Sequence, residues 1–350
     1  MRKQRCTKTV LEIAVSTAFI ICAIKFSKEC AQGVYTGVLL CVKVLVPSLF
    51  VFMIIASFIS QGTLSFLVNK ILKAATKRIF NLPQSSSFLL ILSILGGYPV
   101  GAKGIETLYN NGELSESEAK KLSYICVCAS PAFCINFVAL SLYENKTIGA
   151  VLLTSQIIAF YITAFIVGRT IKINITEEKS IKSKTTASLI DAVNSASIST
   201  INMCAMVIAF SAFLAVLNRV LKKAPELLSF LVSISEVSLA VNKLANEIPL
   251  YAISFILGFG GLCVHFQVFS ILKEIKINKF LFFLFRIIQG IISAFITYIL
   301  LIFFPISTQV FSTVNSVTPA YFSTIWGGVA LVITAVCFIN SINKEEIIRR

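Results

Sequence analysis

Phe88–Gly104 reads FLLILSILGGYPVGAKG, an apolar run that ends in closely spaced glycines and a proline. A helix that crosses a bilayer needs about 20 apolar residues, and the apolar segment 86–102 is shorter than that. Gly96, Gly97 and Gly101 allow backbone conformations that other residues avoid, and Pro99 interrupts a helix. The stretch therefore predicts a re-entrant helical hairpin, which enters a membrane and turns back. The alternative is a tight loop between two helices, in which Lys103 only marks the lipid interface.

The composition places the rest of the chain in a membrane as well. Of 350 residues, 57% are hydrophobic and 13% are charged, and the mean hydropathy is +0.88. Soluble domains carry about 25% charged residues, because water must wet their surface. We therefore expect an all-α, multi-pass protein of the cell membrane, with the lipid bilayer as its solvent.

The formal net charge of +15 has a distribution that fits a membrane protein. Basic residues cluster at the ends of apolar segments, as in Lys70–Arg78, and at both chain ends, as in Arg2–Lys8 and Arg349–Arg350. This pattern follows the positive-inside rule and suits contact with anionic lipid. It predicts that both termini lie in the cytoplasm, and it gives no support for nucleic-acid binding.

Intact and broken apolar segments alternate along the chain. The segments Thr147–Gly168 and Pro319–Asn340 are long enough to span, and Phe280–Phe304 spans with Arg286 embedded. Others are interrupted: Val34–Ser60 by Pro47, Leu122–Leu142 by Pro131, and Pro249–His265 by a glycine pair. Broken helices leave backbone groups unpaired, so they must face one another or an aqueous cavity. We expect roughly eight spans and two re-entrant hairpins.

Two parts of the sequence resemble each other. Phe88–Val100 parallels Ala252–Val264, which aligns Gly96-Gly97 with Gly260-Gly261. Asn69–Lys73 (NKILK) likewise recurs as Asn218–Lys222 (NRVLK). Duplicated units with discontinuous helices are typical of transporters, whose binding site lies between the repeats. The pattern predicts two related halves joined by a polar linker.

Enzymatic and cofactor chemistry find no support in the sequence. The glycine-rich string lacks the Gly-Lys-Ser/Thr of a phosphate-binding loop, since Ala102 precedes Lys103 and Gly104 follows it. None of the ten cysteines forms a CxxC pair, and there is a single histidine. We therefore predict a protein that is not an enzyme and has no catalytic residues, metal site or cofactor.

Several motifs, taken in order, resemble a known family. They are Val46–Phe50 (VPSLF), Gly96–Lys103 (GGYPVGAK), Gly112–Ala119 (GELSESEA), Ser130-Pro131-x-Phe133, Glu236–Ser238 (EVS) and Gly260–Gln267 (GGLCVHFQ). Together they resemble the YlbJ family of sporulation integral membrane proteins, over roughly residues 33–276. That family is grouped with proteins that carry the nucleoside-recognition "Gate" domain.

The resemblance implies a division of the chain and a role. The regions are 1–32, a basic segment with an anchor helix; 33–169, a first Gate-like repeat; 170–186, the linker; 187–279, a second Gate-like repeat; and 280–350, C-terminal transmembrane helices with a basic tail. The implied role is in spore cortex formation, in the mother-cell or forespore membrane. We expect a permease for a small polar solute or ion. The alternative is a non-transporting scaffold that assembles other sporulation membrane proteins.

The candidate binding residues are polar or conformationally special groups near the breaks. They are Gly96, Gly97, Tyr98, Pro99, Gly101, Lys103, Ser130, Asn136, Glu236, Gly260, Gly261, His265 and Gln267. Ionisable groups inside a membrane are costly and often functional. Glu236 is thus expected to bind a solute, a coupling cation or a proton, unless it pairs with Lys243. His265 is either a polar contact or a hydrogen-bonded structural group, and Asp191 begins a polar stretch that is either cavity-lining or interfacial.

Overall fold

The fold was obtained as a computed structural model, which describes residues 24–60, 63–83, 85–173 and 188–305, with the isolated positions 17 and 21. Within these ranges every regular element is helical and no strand occurs. The predicted anchor around Val10, most of the 170–186 linker, the Pro319–Asn340 span and both basic termini lie outside the described residues.

The elements follow one another along the chain with short connections. The α-helices are α1 Ser27–Leu40, α2 Val46–Ser60, α3 Thr63–Phe80, α4 Ser86–Gly96, α5 Tyr98–Asn110, α6 Glu116–Ser123, α7 Lys146–Thr170, α8 Leu189–Val220, α9 Pro225–Ser235, α10 Val237–Leu244, α11 Leu250–Phe259, α12 Gly261–Ile271 and α13 Lys279–Phe303. Two π-helices complete the set, π1 Cys41–Leu45 and π2 Ala132–Leu142.

Four stretches are long and apolar enough to cross a membrane: α7, α8, the combined α11–α12 stretch Leu250–Ile271, and α13. A fifth is formed if Ser27–Leu45 and Leu49–Ile55, which meet at 56°, are counted as one bent span. These four to five candidates among the described residues agree with an all-α polytopic membrane protein. Helices α4, α9 and π2 are apolar but too short to span.

Helices α4 and α5 form the hairpin that the glycine-rich string predicts. A Cβ at Gly96 would meet the side chain of Val100, one at Gly101 would meet Ser93, and one at Gly104 would meet Leu89. Earlier residues of α4 thus face later residues of α5, so the helices run antiparallel. The turn is at Gly97, where φ is +87° and ψ is −174°, a conformation that is essentially restricted to glycine.

The second glycine pair does not form the expected hairpin. Gly260 (φ +84°) and Gly261 (φ +74°) interrupt a helix, but α11 and α12 continue as one 22-residue span. In this half the short helices that fold against each other are α9 and α10, which are joined at Glu236. The likeness of Ala252–Val264 to Phe88–Val100 therefore predicted a break correctly but assigned it the wrong geometry.

At Pro131 the helical structure is fully interrupted, and the proline is not a kink inside one continuous helix. Residues 124–130 lie between α6 and π2 without helical structure. Proline removes a backbone donor and disfavours helix for the residue before it, so the next helix starts at Pro131. Ser130 caps its first turn, since the Ser130 carbonyl oxygen accepts from the N–H of Cys134 at 3.0 Å and the Ser130 hydroxyl accepts from the N–H of Phe133 at 3.2 Å. The result is a non-helical segment inside the protein, residues 124–130. We call it the unwound strand, although it belongs to no β-sheet. Upstream, Ser115 and Glu118 form a capping box at the start of α6, in which each side chain accepts from the other residue's backbone N–H.

The core of the protein joins elements that are distant in sequence. Helix α8 is continuous over 32 residues and packs against α1 and α2, while α13 packs against α7 and α11. The polar stretch after Asp191 is therefore the first part of this long helix and not a separate interfacial helix. Asp191 itself is exposed, so it lines no cavity.

Candidate functional site

Four interruptions of the helical backbone meet at one place. A Cβ at Gly97 would lie 3.1 Å from the Cβ of Ser130, so the α4–α5 turn touches the unwound strand. A Cβ at Gly260 would lie 3.4 Å from the ring of Tyr98, and one at Gly261 would lie 3.2 Å from the carbonyl oxygen of Ser235. The chain thus brings its non-helical backbone together in the protein interior, as a membrane requires.

Tyr98 links the two parts of this junction. It follows the Gly97 turn, is 7% exposed, and its hydroxyl donates a 2.7 Å hydrogen bond to the carbonyl oxygen of Leu257 on α11. That carbonyl belongs to the last turn before the Gly260 break, where helical carbonyls lose their own partners. The tyrosine therefore ties the first hairpin to the broken span.

A small cavity of about 30 Å³ lies at the junction. A space of roughly 10–15 Å³ is enough for one water molecule, so this cavity has room for one or two waters or a small ion. Its lining comes from both parts of the chain: Leu45, Leu49, Gly97, Tyr98, Pro99, Ser130, Phe133, Met203, Val207, Glu236, Val237, Ser238, Val264 and Gln267.

Glu236 contributes a carboxyl group to this lining. It is 2% exposed and caps α10, since its Oε2 accepts a 2.6 Å hydrogen bond from the N–H of Leu239. The described ion pairs do not include it, and Lys243, the partner considered above, is exposed to the surroundings. Among the described residues, the carboxylate is therefore stabilised by backbone dipoles and not by a basic side chain.

The comparisons with known proteins agree with the motif pattern. No protein-family model matches the chain, and no solved structure does. The chain is 25% identical over 333 residues to the "Sporulation integral membrane protein YlbJ" of Bacillus subtilis (strain 168), covering 80% of this chain and 81% of that protein. The chain is therefore similar to a sporulation integral membrane protein over most of both lengths.

Six of the candidate residues line the cavity. They are Gly97, Tyr98, Pro99, Ser130, Glu236 and Gln267. Gly260 and Gly261 lie directly behind it, against Tyr98 and the α9–α10 turn. Sequence reasoning missed the apolar part of the lining, such as Met203 and Val207 on α8, because nothing distinguishes these residues from lipid-facing ones. Ser238 was detectable, as a hydroxyl two residues after a membrane carboxylate.

The glycines that precede and follow the turn have packing roles. A Cβ at Gly101 would come within 2.1 Å of the carbonyl oxygen of Cys126, so only glycine lets α5 approach the unwound strand. Gly96 faces Val100 inside the hairpin. Neither lines the cavity. Asn136 is half-buried on π2 and also lies outside the lining.

Lys103 and His265 are predicted site residues that the structure places elsewhere. Lys103 forms an ion pair with Glu106 at 2.6 Å, one turn along its own helix, and is not among the residues that line the cavity. His265 is fully buried, with Nε2 2.8 Å from the carbonyl oxygen of Phe259 and the rings of Phe259, Phe282 and Phe283 around it. These contacts agree with the alternative of a hydrogen-bonded structural group, while Nδ1 has no hydrogen-bond partner among the described residues.

Arg286 on α13 binds the backbone of the unwound strand. It is 0% exposed, and its guanidinium donates to the carbonyl oxygens of Val127 at 2.5 Å and Tyr124 at 2.7 Å. The arginine embedded in the predicted span Phe280–Phe304 thus binds backbone carbonyls inside the protein. Within the described ranges no group of three His, Cys, Asp or Glu side chains is arranged to hold a metal ion.

Proposed function

We propose that this protein is a sporulation membrane permease for a small polar solute, and that Glu236 binds a coupling cation or a proton. The observation that carries the proposal is a buried carboxylate without a basic partner among the described residues, placed where four backbone breaks meet. Carboxylates inside a membrane are expensive and mark ion or substrate paths. Broken helices with free amide and carbonyl groups form such sites in transporters.

The size of the cavity limits what it can hold in this conformation. About 30 Å³ accommodates an ion or water, but not a nucleoside-sized solute. We therefore propose that the conformation is a closed one, and that solute entry requires the junction to open. Because Gly97, Gly260 and Gly261 have positive φ and glycine can adopt many other backbone conformations, they are suitable hinges for that opening.

Uptake by proteoliposomes containing the purified full chain tests the permease. A panel of neutral, cationic and anionic polar solutes is supplied with and without proton and sodium gradients. We expect saturable, gradient-dependent uptake of one class of solute. Replacing Glu236 by Gln removes the charge and should lower uptake about tenfold or more, since a hydrogen bond to a charged group contributes roughly 1.5–3 kcal/mol. Glu247→Gln, at an exposed position, is the matched control and should transport normally.

The proposal fails if no solute in the panel is taken up saturably while Glu236→Ala retains full function in sporulating cells. A deletion strain that forms a normal spore cortex would argue against the cortex role that the YlbJ resemblance implies.

The small cavity also favours a second function, that of a membrane scaffold for spore-envelope assembly. A scaffold needs no opening, so its centre stays packed and its glycine breaks do not move. Crosslinking in sporulating cells distinguishes the two. Capture of a cortex-synthesis protein that persists in Gly97→Ala and Gly261→Ala variants, without solute uptake by the native chain, would favour the scaffold.

A further inference from the structure

A second polar region lies away from the Glu236 cavity, on one face of α13. Arg286, Gln289, Ser293 and Thr297 follow one another at helical spacing, and each is 0% exposed. This face packs against α7 and α11, which contribute Ser155, Gln156 and Ser254, also 0% exposed. We call these seven residues the α13 seam. It extends along the helix for about 16 Å, from Arg286 to Thr297, or about half of a bilayer's hydrocarbon core.

One end of the α13 seam is internally satisfied. The hydroxyl of Thr297 lies 2.8 Å from that of Ser155 and 2.7 Å from that of Ser254. Ser254 is in turn 2.7 Å from Ser293. The Gln156 amide donates to the Ser293 hydroxyl at 2.6 Å and to the Ser254 carbonyl at 3.0 Å. The hydroxyl groups and the N–H groups of Gln156 therefore need no further partner.

The other end contains buried polar atoms without a partner among the described residues. They are Oε1 of Gln156, Oε1 of Gln289 and Nε of Arg286. Gln289 and Arg286 are neighbours, since both donate to the carbonyl oxygen of Val127. Gln156 is one turn away, at Ser293. More than nine in ten buried polar groups in folded proteins have a hydrogen-bond partner, so three such atoms in one interface indicate a ligand.

The chemistry of the three atoms identifies that ligand. Two are carboxamide oxygens, which only accept hydrogen bonds, and one is a guanidinium N–H, which only donates. A cation would be repelled by Arg286, and an anion by the two oxygens. Water donates two hydrogen bonds and accepts two, so it satisfies all three atoms. Internal waters typically make about three such bonds.

We propose that the α13 seam is a buried water-binding site, in which at least one water molecule bridges Gln289 and Arg286 and extends towards Gln156. The site does not depend on the proposed transport activity. It would keep the interface of α13 with the unwound strand hydrated in the middle of the membrane.

A cryo-EM structure of the full chain in lipid nanodiscs, at a resolution that shows ordered water, tests this directly. We expect a density peak within about 3.2 Å of both Gln289 Oε1 and Arg286 Nε. Well-resolved side chains with no peak between them would overturn the proposal. So would a protein group from residues 306–350 that occupies the position.

Thermal unfolding of Gln156→Leu, Gln289→Leu and the double variant provides a second, independent measurement. If water bridges both oxygens, each single substitution removes one hydrogen-bond acceptor from that water and lowers the melting temperature. The double substitution should then lower it by less than the sum of the two single effects, because both side chains bind one water network.

Each change also removes amide N–H bonds, from Gln156 to Ser254 and Ser293 and from Gln289 to Val127, so the single variants lose stability in a dry seam as well. In a dry seam the two losses add, because the two side chains share no partner. Strictly additive losses, or unchanged melting temperatures in both single variants, would therefore contradict the proposal. Thr163→Val is the control, since its buried hydroxyl bonds only its own helix, at Ala159.

Discussion

Gly97 and Gly112 show how two glycines with positive φ have different roles. Gly97 has φ +87° and Gly112 has φ +73°, so both adopt backbone conformations that favour glycine. A Cβ at Gly97 would also press on Ser130 at 3.1 Å, whereas one at Gly112 would meet nothing within 4 Å. The first therefore sets both the turn and its distance from the unwound strand, and the second sets only a turn.

This difference predicts unequal costs for the same substitution. Gly97→Ala should destabilise the protein by about 1–3 kcal/mol from backbone strain, and by more because Ser130 must move. Gly112→Ala should cost about 1–2 kcal/mol from strain alone. Thermal unfolding of the purified variants in detergent checks this order. Equal melting temperatures for the two would mean that the Gly97–Ser130 contact is not tight.

At the scale of elements, the unwound strand 124–130 is the least expected part of the fold. Inside a membrane, backbone N–H and C=O groups without helical hydrogen bonds raise the free energy of the fold unless other groups bind them. Arg286 on α13 supplies these bonds, to Val127 and Tyr124. The strand therefore depends on an element that is far from it in sequence.

Removal of the guanidinium should release the strand. Arg286→Met leaves two buried carbonyl groups with fewer donors, and an unsatisfied buried group costs about 1–3 kcal/mol. Arg286→Lys keeps the charge, but a single ammonium lacks the planar fork of arginine, so we expect little recovery. Hydrogen exchange of residues 124–130 should rise in both variants. Full protection in Arg286→Met would show that the strand is held by its other contacts.

The packing of α1 on α8 is a second element-scale feature. A Cβ at Gly33 would lie 2.6 Å from Cα of Ala212, and one at Gly37 would lie 2.8 Å from Cα of Ile208. Glycines four residues apart give one helix a flat face for close approach, as is common between membrane helices.

Methyl groups on that face should separate the helices. Gly33→Ala and Gly37→Ala are each expected to cost about 1–3 kcal/mol by overpacking. Val38→Leu, at an exposed position on the same helix, is the control and should change little. Unfolding in detergent measures all three, and a Gly33→Ala variant as stable as the native chain would contradict the close approach of the two helices.

For the whole molecule, the testable property is its orientation in the membrane. Basic residues at both ends of the chain predict that both termini lie in the cytoplasm. Green fluorescent protein fused to either end should then fluoresce, and alkaline phosphatase fused there should be inactive. The opposite result at one end would require an odd number of crossings.

Several properties of this protein follow from its sequence alone. Its membrane location follows from the low charge content, because so few polar groups cannot cover a water-facing surface. The helix breaks at Gly97, Pro131 and Gly260 can also be predicted from the sequence, because glycine and proline act locally on φ and on hydrogen bonding. Even the carboxylate at Glu236 was recognisable, since any charge in an apolar segment is unusual.

The tertiary structure decided how these local features combine. The Gly97 break became a hairpin and the Gly260 break remained within a span, because neighbouring helices and not the glycines set the direction of the chain after a break. Lys103 and His265 lie close to breaks in sequence, yet they bond to Glu106 and Phe259, outside the cavity. The α13 seam was present in the sequence as a polar periodicity, but its partners on α7 and α11 are up to 142 positions away. Contacts over such separations depend on packing, which local residue chemistry does not specify.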